Sequence, residues 1–88
     1  MSTITLKTMF DPNKYVPPLQ LWLTRVGQIE ISTVRLPKMM DEDDRFETCL
    51  FHDDGTSDVV QTYYNRTEAN FGHMRIASIL GFVQDRGI

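Results

Sequence analysis

Eighty-eight residues, 41% hydrophobic and 24% charged, describe a single domain over 1–88, because chains of this length carry one hydrophobic core. A net charge of −3, from nine basic and 12 acidic side chains, argues against a sequence-independent grip on nucleic acid phosphate, so DNA is not an expected partner. The single cysteine, Cys49, excludes an internal disulfide framework; with no apolar run of membrane-spanning length and no secretory pattern in Met1–Phe10, the expected setting is cytoplasmic, without a membrane partner.

In chain order, Ile4–Thr8 alternates apolar and polar side chains and predicts a first strand, broken by Asp11, Pro12 and Asn13. Pro17 and Pro18 stiffen the entry to a second strand at Leu19–Thr24, whose leucines share one face while Gln20, Trp22 and Thr24 share the other. Gly27 supplies a turn, and the β-branched run Ile29–Leu36 completes a hairpin that Pro37 ends. Asp41–Asp44 reads as a solvated acidic loop. Phe46–Phe51 is extended, with Phe46, Thr48 and Leu50 opposite Glu47, Cys49 and Phe51. A turn cluster at His52–Asp58 and a strand at Val59–Tyr64 make a second hairpin.

The period then changes. Thr67 is the expected N-cap, with Glu68 favourable in the first turn, and Ala69, Gly72, His73, Ile76, Ala77, Leu80 and Val83 recur at helical spacing before a stop at Gly87. The expected fold is therefore α+β: a mostly antiparallel sheet of four to five strands in hairpins, with one C-terminal amphipathic helix of roughly 17 residues on one face. Trp22, Phe51 and Tyr64 are expected on the opposite face, which then needs cover, and a domain this small gains from forming a homo-oligomer.

Chemistry is sparse. The acidic residues Asp41–Asp44, Asp53, Asp54 and Asp58 lack the alternating ligand positions and closing Glu of a calcium loop, so no metal and no cofactor are expected. Cys49 shares a face with Glu47 and Phe51, which raises a thiol pKa rather than lowering it. His73 reads as a hydrogen-bonded core residue, Gly72 as a point of close helix–sheet approach, and His52 as a hairpin-end residue without an evident partner. No enzyme is expected. Six arginines outnumber three lysines, and Tyr63, Tyr64, Asn65 and Arg66 at the helix start, with Arg75, combine aromatic faces, an amide and guanidinium forks suited to a small anionic ligand. Surface arginines paired with carboxylates give the same pattern. Trp22, Met39, Met40 and Phe51 are the candidate interface residues.

The strands Ile31–Leu36 and Phe46–Phe51, the pair Tyr63-Tyr64, the helix entry Thr67-Glu68-Ala69 and the pair Gly72-His73 together resemble a class of small bacteriophage proteins. That class carries a Phe-Glu-Thr-Met-Val-Phe-like strand and a Gly-His helix motif. Two positions depart from it: Cys49 stands where a methionine is usual, and Pro37–Asp41 replaces a Leu-Asp-His-Ser loop. The resemblance implies a phage origin and not an activity; joined to the non-catalytic reading of the residues, it gives the expectation of a phage-encoded binding protein in the cytosol of an infected bacterium. The expected function is to counteract host antiviral defence by sequestering a small anionic, cyclic nucleotide-like signal. The alternative is an inhibitor or scaffold that binds a host defence protein directly.

Overall fold

The structure is a computed structural model and describes residues 15–85. Among the described residues, six strands precede one helix: β1 (Tyr15–Val16), β2 (Leu19–Val26), β3 (Ile29–Arg35), β4 (Lys38–Met39), β5 (Phe46–Phe51), β6 (Ser57–Tyr63) and α1 (Arg66–Asp85). The strand expected at Ile4–Thr8 and the stop expected at Gly87 lie outside the described residues. The long strands form an antiparallel sheet in the order β2-β3-β5-β6, and β1 pairs with β4 in a small ladder of its own. This is the α+β arrangement read from the sequence, with α1 touching all four long strands. No helix among the described residues is long and apolar enough to cross a membrane.

Both hairpins form where turn chemistry and alternation place them. Gly27 adopts φ 61°, a left-handed conformation open to glycine at little cost, and closes β2 onto β3. Across the sheet, register sets the two faces. Thr24 pairs with Ile31 and Ile31 with Leu50, and these face the helix; Leu23 pairs with Ser32, Ser32 with Cys49 and Cys49 with Val59, a row on the other face. Phe46, Thr48 and Leu50 face inward as expected, with Phe46 and Thr48 buried.

One face assignment is corrected. Between Gln20 and Trp22 the register of β2 shifts by one residue, leaving Leu21 as a bulge. Trp22 shares a face with Thr24 as the alternation has it, but pairing with Thr33 puts both toward the helix instead of the open face, and the bulge separates Gln20, paired with Val34, from them. Leu21 and Trp22 pack against a core of Phe46, Tyr63 and Ala69, while Leu19 and Leu23 remain exposed. Tyr64 lies past the end of β6, in the link to α1, and is 68% exposed.

The helix cap is also corrected by two residues. Asn65 Oδ1 accepts from the Glu68 backbone N–H at 2.8 Å, so Asn65 is the N-cap and Thr67 lies within the first turn. Glu68 occupies that turn as expected, and the helix runs for 20 residues. At Gly72 the helix meets Tyr63, and a Cβ there would penetrate the tyrosine ring at Cε1, Cζ and Oη. Tyr63 is 4% exposed and hydrogen-bonded through its hydroxyl, so it has little room to retreat. Gly72→Ala should therefore destabilise the domain by about 1–3 kcal/mol in urea unfolding despite the better helix propensity of alanine. Tyr63→Leu in the same chain should recover part of that loss. A neutral or stabilising Gly72→Ala would show that the helix rides higher on the sheet.

Candidate functional site

An extended polar feature is buried between sheet and helix. His73 is 4% exposed, and both ring nitrogens are engaged: Nε2 with Thr24 Oγ1 at 2.8 Å, Nδ1 with Thr33 Oγ1 at 2.7 Å. Thr33 Oγ1 continues to Thr48 Oγ1 at 2.6 Å, and Thr48 to Tyr63 Oη at 3.0 Å. One residue from each long strand and one from the helix thus form a five-member chain. Neutral imidazole has one donor and one acceptor nitrogen, so two head-to-tail arrangements satisfy it. Either Thr24 donates to Nε2 and Nδ1–H begins a run through Thr33 and Thr48 to Tyr63, or Tyr63 begins the opposite run and Nε2–H donates to Thr24.

The sequence marks His73 and Tyr63 as special positions, whereas the roles of Thr24, Thr33 and Thr48 emerge only from the structure. The available signal was a threonine on the helix-facing side of three successive long strands, opposite a buried histidine that needs two partners.

The residues expected to bind an anion are dispersed. The Arg66 guanidinium lies over the Trp22 ring, 5.6 Å from its centroid, in a cation–π contact at the β2 edge. Arg75 donates to Gln61 Oε1 at 2.8 Å, at the β6 edge. Nine residues separate these arginines, which is about 13.5 Å along the helix and half a turn around it. Asn65 is committed to the cap and Tyr63 to the hydroxyl chain, whereas Tyr64 is open to solvent. Tyr63 and Arg75 do share a shallow groove of about 330 Å³, and Glu68 lines it too, adding negative charge.

Among the candidate interface residues, Phe51 is 44% and Met40 63% exposed, Met39 is half-buried in β4, and Trp22 lies under the helix. Cys49 faces the open side, and desolvation together with the neighbouring Glu47 carboxylate pushes its thiol pKa up. His52 Nε2 contacts Asp58 Oδ2 at 2.9 Å across the second hairpin turn. In the acidic loop, Lys38 pairs with Asp44 and donates to the Glu42 carbonyl, which holds the Asp44 carboxyl below its ordinary pKa. Among the described residues, no group of three or more His, Cys, Asp or Glu is placed to share a metal ion. Comparison with protein-family models, curated proteins and solved structures finds no match for this chain.

Two measurements test the buried chain. Thr33→Val keeps the shape but strips both His73 Nδ1 and Thr48 of a partner, and should cost about 2–4 kcal/mol, more than an isolated threonine hydroxyl contributes. A loss below about 0.5 kcal/mol would remove the chain from the stability argument. Burial also lowers the His73 pKa below its ordinary 6.5. The unfolded chain then binds this proton at higher pH than the folded one, so stability is full above about 6.5 and declines as pH falls toward the depressed folded value. Urea midpoints between pH 7.5 and 5 should fall for the wild type and fall less for His73→Gln. Identical slopes in both would assign the dependence to other groups.

Proposed function

We propose that the chain is a non-catalytic binding module that docks a protein partner on the sheet face opposite α1. The observation that carries this reading is the cross-strand row Leu23, Ser32, Cys49 and Val59, with Phe51 beside it: Leu23 is 53%, Val59 57% and Phe51 44% exposed. Exposed apolar side chains on the two edge strands and at the hairpin end flank a centre in which Ser32 is only 4% exposed, and with the Arg25–Glu30 ion pair at one end and Glu47 and Gln20 at the other they give the mixed apolar and polar composition of a protein interface.

Sequestration of a small anion is less well supported, because Arg66 and Arg75 are each engaged at opposite flanks of α1. The non-catalytic reading draws on the three groups best suited to covalent or proton-transfer chemistry. Cys49 has a raised pKa, His73 is enclosed by hydroxyls, and His52 is paired with Asp58 with no nucleophile bonded to it. The resemblance to small bacteriophage proteins directs the choice of partner toward a host defence protein.

The test compares immobilised wild-type protein with a Leu23→Glu, Val59→Glu variant of unchanged circular dichroism, exposed to lysate of an infected bacterial host. One stoichiometric protein should remain on the wild type and be depleted at least tenfold on the variant. Equal retention by both would sink the docking face. Calorimetric uptake of a cyclic oligonucleotide, abolished by Arg66→Ala or Arg75→Ala, would restore the anion reading in its place.

A further inference from the structure

The helix α1 is apolar on two sides. Its inner side carries Ala69, His73, Ile76 and Leu80 against the sheet, and its outer side carries Phe71, Met74, Ile79 and Phe82, exposed by 64%, 55%, 55% and 60%. Phe82 also interacts elsewhere in the chain and still leaves that fraction open. At 100° per residue the outer four fall within an arc of about 140°, along roughly 16 Å of helix. A surface helix normally presents a polar outer face, and one that is apolar on both sides is usually covered on both.

The order of these residues identifies the cover. About the midpoint between Ile76 and Ala77, Phe71 mirrors Phe82, Met74 mirrors Ile79, and Arg75 mirrors Ser78. We infer that the outer stripe of α1 pairs with the same stripe of a second copy of this chain, antiparallel across a two-fold axis. An isologous interface requires a self-complementary patch, and this stripe reads alike from either end. Phe71 then meets Phe82 of the second copy on the seam, Met74 and Ile79, about 70° to either side of it, line its two opposite flanks, and the small Ser78 lies near the axis, where helix axes approach to about 8–10 Å. Arg75 does not block the seam, because its guanidinium already reaches sideways to Gln61.

Two further observations agree. Gly81 sits in the interior of the helix, where glycine is unfavourable, yet a Cβ there would meet no described residue within 4 Å. Nothing among the described residues requires the glycine, whereas the two-fold places Phe71 of the second copy beside it. The area sets the strength. At roughly 200 Å² per large side chain, the four exposed residues offer about 450 Å² from each copy, or about 900 Å² in all, which lies below the roughly 1,200 Å² of stable specific interfaces and fits a weak, concentration-dependent dimer.

Sedimentation equilibrium of the full chain tests the pairing. The wild type should sediment at twice the chain mass at about 100 µM, and Phe71→Glu and Gly81→Leu should each raise the dimer dissociation constant at least tenfold. Because a charged helix variant could fail to fold, a Cys49→Ser, Ser78→Cys chain supplies a second readout. Under mild oxidation it should form a covalent dimer at least ten times faster than Cys49→Ser, Ser57→Cys. The sheet-face variant Leu23→Glu, Val59→Glu should remain dimeric, which separates this surface from the proposed docking face. A wild-type monomer at that concentration overturns the inference, as does a dimer indifferent to Phe71→Glu and Gly81→Leu, or equal oxidation rates in the two cysteine variants.

Discussion

The hydrogen-bonded chain Thr24, His73, Thr33, Thr48, Tyr63 is the constraint on which the fold depends. A sheet and a helix joined only by apolar contacts can slide past one another at small cost, because hydrophobic attraction has no direction. Here the imidazole bridges hydroxyls on β2 and β3 and fixes the helix along both its axis and its rotation. A slip of β5 by one residue would replace the Thr48 hydroxyl with a Glu47 or Cys49 side chain and leave two buried groups unpaired. The chain therefore specifies register as well as contributing stability, and Gly72 lets the helix come close enough for Tyr63 to complete it.

How much of this was legible follows from the range of each signal. Alternation and Gly27 located the first hairpin, and the inward set Phe46, Thr48 and Leu50 was readable because β5 is regular from end to end. Alternation groups Trp22 with Thr24 but does not say which face of β2 meets the helix, and the bulge at Leu21 that parts Gln20 from them is a property of the pairing between β2 and β3, invisible in β2 alone. Asn65 and Thr67 are both competent caps, and the chain direction leaving β6 decides between them. The arginines show the same limit. Composition marks guanidinium groups as candidates but cannot tell whether Arg66 and Arg75 converge, and here the half-turn between them sends one to Trp22 and the other to Gln61.

A hydroxyl-lined centre has a consequence for the surface. The inner face gives three of its positions to threonine and one to histidine, so apolar side chains that would ordinarily fill such a core stand elsewhere. Geometry reinforces this. Four strands at about 4.8 Å spacing form a sheet wider than one helix of about 10 Å can cover, and the far side of the sheet has no covering element among the described residues. Leu23, Phe51 and Val59 on one side and Phe71, Met74 and Ile79 on the other are the result.

These two surfaces lie on opposite sides of a two-layer domain, which makes them compatible. Partners on adjoining patches would compete for space, whereas pairing through α1 leaves each open sheet face pointing away from the two-fold axis. A helix-paired dimer would thus carry two identical docking faces directed outward. Against a partner that is itself dimeric or clustered, the second contact becomes intramolecular once the first has formed, and its effective concentration can raise avidity by about 10²–10⁴ without any new contact. A small docking face then suffices. On this view the shortage of apolar filler in the centre and the modest area of the open face are connected: the same allocation of side chains that leaves the monomer incompletely covered supplies the symmetry that lets a modest surface hold a partner.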